Sequence, residues 1–400
     1  MGNIESTQIY DPQIVPYPKK AIVDELVTFD RFDWSRFVSG DIMVDLNGVP
    51  HFFEINGIPN LLFEYCQLYD ENILLRLEDL FPSDEAIGAI FKQQRDAPEL
   101  LSDKYHRENV LILEYFKKLG RNIHFLAEDE LKLGDGGFYA GKALAGTTKE
   151  EIELDKAFHF RWLLNRCLGS ANLFRRIPKE RRMERHINPE QEGLVGIMTP
   201  IAYGTLAINK DKCIAALRDY IEMPETYMVN NWEELEVAVE TIETHIQSKH
   251  PNYRKPWVVL KNPKGTGGYG MMFVADKESL ISGRIIVLKE DGNTEQLPKK
   301  KINFPYLVQE RISSALYNDR EVDLRFFFTG GGSKYQPWSS HPIARAASGI
   351  NEFHKYATSL SQGGDAIRMS YEASAILQDY VLAICIGIEK KLRGNIDVKK

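Results

Sequence analysis

Cysteine is scarce: Cys66, Cys167, Cys213 and Cys385 are the only four in 400 residues, and none forms a CxxC pair. That spacing signals neither a disulfide framework nor a cysteine-based zinc site. It predicts a reducing, cytoplasmic compartment. Long apolar runs are also missing. The first twenty residues are polar and contain proline, unlike a signal peptide. The longest apolar stretch, 380–388, is too short to span a bilayer and reads as a buried helix. No membrane partner is expected. Positive charge is not in excess; the formal net charge of -7 speaks against nucleic acid as a partner. No Gly-x-Ser-x-Gly elbow is present and no Gly-Lys-Ser/Thr opens a helix; the glycine run 265–270 leads into an expected strand and not a helix, so it is not the fingerprint of dinucleotide folds. Serine-hydrolase, Walker-type and dinucleotide chemistry are therefore unsupported.

What remains is an ordinary globular balance, with 43% hydrophobic and 27% charged residues. A chain of this length suggests two or three domains. Helical and strand patterns alternate throughout, which predicts α/β or α+β architecture. Helices are expected over 21–29, 71–80, 84–93, 158–167, 210–221, 232–247 and 373–392. Strands are expected over 41–44, 51–55, 122–126, 194–197, 255–260, 271–274, 284–288, 306–309 and 322–329. Residues 109–118 fit either, and a new unit begins near residue 100. The basic run 175–186 reads as a solvated helix or loop. His51, His124, His159 and His354 lack ligand-like spacing and read as structural.

Four short constellations carry chemistry. In the first, Asp41 starts one strand, Asp45-Leu46-Asn47-Gly48 turns the chain, and Glu54 and Asn56 stand two apart on the returning strand. Asn-Gly is a strong hairpin signal because both residues tolerate positive φ. Residues two apart on a strand share a face, so Asp41, Glu54 and Asn56 form a group of hard oxygen donors suited to Mg²⁺. Phe52, Phe53 and Ile55 are expected to bury the strand. An ordinary hairpin with surface acids would read the same way. In the second, Val258-Val-Leu-Lys261 runs into Lys264-Gly265-Thr266-Gly267-Gly268-Tyr-Gly270. Glycines let backbone N–H groups close round phosphate oxygens; a flexible hairpin tip is the alternative.

In the third, the apolar strand Tyr306-Leu-Val308-Gln309-Glu310 can offer backbone groups to a purine edge, and Asp323 and Arg325 share a strand face. An ion pair at a sheet rim is the plainer reading of those two. In the fourth, Arg345 precedes Ser359-Leu-Ser-Gln-Gly363-Gly364. Its guanidinium is suited to charge developing on a transferred phosphoryl group, or it belongs to a loop.

Taken together, these segments resemble the ATP-grasp superfamily. Gly40-Asp41 with Glu54-Ile-Asn56-Gly-Ile-Pro59 looks like the family's metal segment. Lys261 with the glycine run looks like its ATP lysine and phosphate loop, and Val308-Gln309-Glu310 like its adenine hinge. Ile208-Asn-Lys-Asp-Lys212 is similar to the segment that supplies a second ATP-facing lysine. The order, metal segment first, resembles the circular permutation of eukaryotic-type glutathione synthetases. Relatives often carry an arginine just before the metal Asp; Ser39-Gly40 stands here, and Arg345 is a candidate substitute.

The resemblance implies an α+β ATP-grasp fold, circularly permuted, with a pre-ATP-grasp α/β substrate domain. It implies a metal-binding part over 1–99, the substrate domain over 100–215, an ATP-grasp N-subdomain over 216–305 and the rest of the C-subdomain over 306–400. It places the chain's two ends near one another. The implied activity is carboxylate–amine ligation with ATP and Mg²⁺ through an acyl phosphate. Lys212, Lys261, Lys264, Gly265, Thr266, Gly267, Gly268, Val308, Gln309 and Glu310 would bind ATP, Asp41, Glu54 and Asn56 the metal, and Arg325 and Arg345 the transferring group. The partners implied are small-molecule or peptide carboxylates and amines, with a homodimer among the assemblies allowed. A non-catalytic ATP-binding protein and a phosphotransferase on the same fold stay open.

Overall fold

The Asn-Gly signal produces the hairpin it announces. Strands Val38–Val44 and Pro50–Asn56 pair antiparallel. Gly48 takes φ +82° at the turn, and the Asp45 carboxylate accepts from the backbone N–H groups of Asn47 and Val49, each at 2.8 Å. The computed structural model describes residues 4–17, 37–56, 60–69, 71, 73–78, 86–91, 104–127, 132–134, 137–144, 151–154, 160, 162–166, 182–183, 195–197, 210–263, 271–288, 294–297, 302–329, 338–348 and 364–397.

The architecture is mixed α+β, built on three large sheets. The hairpin forms one edge of an eight-stranded sheet ordered Ile4–Tyr10, Asp365–Met369, Ile343–Ala346, Arg320–Thr329, Val38–Val44, Pro50–Asn56, with two short strands beside Arg320–Thr329. The strand Arg320–Thr329 shows why the sheet is buried on both faces. Val322, Leu324, Phe326 and Phe328 point into a core shared with the terminal helix Tyr371–Asp397, through Leu377, Val381, Ile384 and Ile388. Phe327 points the other way, against Tyr65. Asp323 and Arg325 alternate with the first set and so share the Phe327 side.

That second core continues into a seven-stranded sheet of mainly parallel strands, ordered Arg182–Met183, Val195–Ile197, Trp162–Arg166, Ile87–Phe91, Ile123–Ala127, Lys142–Leu144, Glu151–Glu153. Two of these correct the sequence reading. Residues 84–93 and 158–167, expected as helices, contribute the strands Ile87–Phe91 and Trp162–Arg166, which pair with each other in parallel register. The run Ile87–Phe91 is apolar throughout, and such a run has no period that separates it from a buried helix. Residues 109–118 fall within a helix, Lys104–Lys118. The expected helix over 21–29 lies outside the described residues.

The third sheet has six antiparallel strands, ordered Thr226–Val229, Tyr306–Glu310, Val258–Lys261, Met272–Val274, Ile285–Leu288, Thr294–Leu297. The helix Trp232–Lys249 covers it, burying Leu235, Ala238, Val239, Ile242 and Ile246 at helical spacing. The helix starts where Asn231 Oδ1 accepts from the Glu234 backbone N–H at 2.9 Å and the Glu234 side chain reaches back to Asn231, a reciprocal cap.

The first and last described strands, Ile4–Tyr10 and Asp365–Met369, pair in parallel. The N-terminal segment then runs along the terminal helix: Tyr380 donates to the Val15 carbonyl at 2.6 Å, and Tyr17 packs edge-on against Tyr380. Over Tyr371–Ile388 that helix is long and apolar enough to cross a membrane. Leu377, Val381, Ile384 and Ile388 of that stretch pack into the first core, and Ala383 and Ile386 pack beside Tyr17 and Tyr220.

Candidate active site

Phe52 and Ile55 both sit in the first core, although residues three apart on a regular strand face opposite sides. A β-bulge resolves the conflict. Asp41 pairs with Glu54 and Ile42 with Phe52, so Phe53 is the extra residue. The sequence reading had Phe53 buried with its neighbours; it is only half-buried. With the bulge, Phe53 and Glu54 both turn away from the core. Gly40 belongs to the same arrangement. A Cβ there would stand 2.7 Å from Phe326 and 2.9 Å from Phe52, so any side chain at this position, arginine included, would force the two rings to move.

The arginines come from across the sheet. Asp41 faces Arg325 in register, and Asp323 faces Arg345. Arg325 grips Asp41 with two bonds, Nε to Oδ1 at 2.8 Å and a terminal nitrogen to Oδ2 at 2.7 Å. Arg345 grips Asp323 in the same way at 2.6 and 2.5 Å and also reaches Asp41 Oδ2 at 3.0 Å. Asn56 donates to Asp41 Oδ2 at 3.3 Å. All four charged groups are buried. Burial works against ionising Asp41, yet the two guanidiniums hold its carboxyl well below the usual carboxylate range. Arg345 is likewise disfavoured by burial but held firmly protonated by Asp323 and Asp41.

Beside this clamp lie two lysines. Lys261 ends the strand Val258–Lys261, donates to Gln309 Oε1 at 2.6 Å and stands over the Phe53 ring at 5.3 Å from its centroid. Desolvation and then the charge of Lys210 push its ammonium down to about 8, while Glu54, Asp41 and Asp323 resist the shift. Lys210 opens the helix Lys210–Leu217 and reaches Glu54 Oε2 at 3.5 Å. Hairpin, helix and third sheet thus meet at one cluster of opposite charges. Nearby, Val259 and Phe273, with Met271, form an apolar patch on the Lys261 face of the third sheet.

The candidate residues fall into four groups. Asp41, Glu54, Asn56, Arg325, Arg345, Lys261 and Gln309 are linked directly or through one another. Val308 is buried under the helix Trp232–Lys249, so only its backbone borders the Gln309 side. Glu310 faces that helix as well, in accord with strand alternation. Lys212 is exposed on its helix; Lys210, two residues earlier, is the lysine that reaches Glu54. Lys264, Gly265, Thr266, Gly267 and Gly268 lie outside the described residues. Lys210 and Asn60, which accepts a bond from Arg325, escaped the sequence reading. Lys210 had a signal, as it lies in the lysine segment already singled out; Asn60 had none.

No family model matches the chain, and no curated protein matches it either. A solved structure does. It belongs to a protein from Methylobacillus flagellatus KT provisionally named a gamma-glutamylcysteine synthetase, with a TM-score of 0.53 over 95% of this chain and 100% of that one, at 13% identity. Likeness at that identity is a likeness of fold.

A cation fits part of the donor set. Both oxygens of Asp41 are engaged by guanidiniums and Asn56. Glu54 and Asn56, each half-buried, are the accessible hard oxygen donors, and Lys210 is the one described ion-pair partner of Glu54.

Proposed function

We propose that the chain is an ATP-dependent carboxylate–amine ligase with an ATP-grasp fold in permuted order, acting through an acyl phosphate. The observation that carries this reading is the meeting of Lys261 and Gln309, from the third sheet, with Glu54 and Lys210 beside the Asp41–Arg325–Arg345–Asp323 clamp. The pairing of the first and last strands is consistent with the permuted order. The fold neighbour is a ligase by name, and that name points to an amino-acid carboxylate such as glutamate and an amine such as that of cysteine.

On this reading the purine lies against Val259 and Phe273, with the backbone of Val308–Glu310 at its edge. Lys261 and a lysine of the helix Lys210–Leu217, Lys210 by position or Lys212 by family resemblance, pair with the phosphates. Residues 264–270 supply the phosphate loop. Glu54 and Asn56 hold Mg²⁺, with Asp41 behind them; Mg²⁺ neutralises phosphate charge during transfer. Arg325 and Arg345 fix Asp41 and Asp323 and so hold the geometry of the site, while Lys261 and Lys210 bring the positive charge to the transferring group. The substrate carboxylate oxygen attacks the γ-phosphorus and ADP leaves. The amine nitrogen then attacks the acyl carbon, phosphate departs and the nitrogen loses a proton.

The test is ADP release against a panel of amino acids and dipeptides, with glutamate plus cysteine included, and mass analysis of the products. A stoichiometric amide supports the proposal. A phosphorylated product without amide would assign a phosphotransferase. ATP binding without ADP release from any pair would assign a non-catalytic nucleotide-binding protein.

A further inference from the structure

The helix Trp232–Lys249 ends in a second constellation, on the face of the strand Tyr306–Glu310 opposite Gln309. His245 and His250 are five residues apart, within the His-x₃₋₅-His spacing of zinc ligands. His245 lies just before the last turn of the helix; His250 is the C-cap, with φ -132° and ψ 54°. The break in helical geometry brings the two rings to 5.6 Å between centroids. Glu310 approaches from the strand Tyr306–Glu310, its Oε2 3.8 Å from His245 Nε2. One donor atom from each of the three lies within 4.8 Å of the others. Around a tetrahedral ion with bonds of about 2.1 Å, donors sit about 3.4 Å apart, so modest side-chain rotations would close the set.

A second observation concerns the same side chains. Glu310 is 3% exposed. Its Oε2 accepts from the Glu225 backbone N–H at 3.0 Å, but its Oε1 is buried without a hydrogen-bond partner, as is His250 Nδ1. A buried unpaired polar atom costs about 1–3 kcal/mol, and such atoms are rare unless something binds them. The His250 ring is also held in place. Tyr253 stacks on it at 4.5 Å, Asp45 Oδ2 lies 4.0 Å from its Nδ1, and Asp45 is in turn bound by His51 Nε2 at 3.2 Å and Tyr253 Oη at 2.9 Å. Metal-binding histidines are commonly oriented by a carboxylate in this way.

We propose that His245, His250 and Glu310 form a binding site for a divalent transition metal of the Zn²⁺ class. Two imidazoles and one carboxylate suit such an ion and not Mg²⁺. The ion joins the helix end to the third sheet. Through Asp45 and His51 it also braces the turn of the hairpin that carries Glu54.

The experiment uses the full chain, stripped of metal and titrated with Zn²⁺ by calorimetry and with Co²⁺ by visible absorption. One equivalent of Zn²⁺ and tetrahedral Co²⁺ bands are expected. His245→Asn and His250→Asn, checked for folding by circular dichroism, should each weaken binding at least tenfold. Glu54→Gln should leave it unchanged. Absence of saturable Zn²⁺ binding and of Co²⁺ bands in the unaltered chain overturns the proposal whatever the variants do. So does undiminished binding in the doubly substituted chain, or loss of binding in Glu54→Gln, which would put the ion at the ligase site.

Discussion

The ammonium of Lys261 lies over the ring of Phe53, 5.3 Å from its centroid. The two residues come from different sheets and opposite halves of the chain. The contact exists because a bulge turns Phe53 out of its own core and because Lys261 ends a strand whose other residues are buried. It places a cation, already short of water, where an anionic ligand would be welcome.

Lys261 yields a pH prediction. Its folded value of about 8 lies below the ordinary 10.5. The native protein therefore binds fewer protons than the unfolded chain between those values, and stability from this group rises with pH across that window. Phosphate needs the ammonium form, so ATP affinity changes in the opposite sense, falling about tenfold from pH 7 to pH 9. Calorimetric Kd values at both pH values measure this. Lys261→Ala should bind ATP weakly at both and lose the slope; an unchanged affinity or slope in the variant rejects the assignment.

Glu54→Gln removes one charge from a half-buried side chain whose described ion-pair partner is Lys210. The melting temperature should barely move. ADP release should fall on the order of a hundredfold or more, as expected when a metal-holding carboxylate is lost. Turnover near that of the unaltered protein would dismiss Glu54 from the metal site.

Arg345→Met leaves Asp323 without its two-bonded partner and Asp41 with one guanidinium, that of Arg325, beside Asn56. Breaking a buried ion pair by removing one member costs about 3–5 kcal/mol. Urea unfolding should show it as a lower midpoint with little change in slope. Arg345→Lys should recover only part of the loss, since an ammonium cannot form the paired bonds. A cost under about 1 kcal/mol for Arg345→Met would mean the clamp contributes little.

Gly40→Ala tests the close packing at the bulge. The added methyl meets Phe326 and Phe52 inside van der Waals distance, and overpacking of this kind costs about 1–3 kcal/mol. Thermal unfolding reads the loss directly. Because both rings lie under the Asp41–Glu54 pair, ATP turnover should fall with it.

The sequence alone determined the hairpin, the helix Trp232–Lys249 and the alternation of Asp323 and Arg325 with apolar neighbours. Each rests on local physics: a turn that needs positive φ, a cap followed by a 3.6-residue period, a strand with a two-residue period. Only the tertiary structure decided the rest. The segments over 84–93 and 158–167 became parallel strands because neighbours paired with them on both sides, which no local period records. Lys210 joined Glu54 because a helix packed against the hairpin, and Arg345 reached Asp41 because a distant strand lay beside Arg320–Thr329. Such contacts depend on which surfaces meet when apolar faces are buried together, and no local period records that meeting.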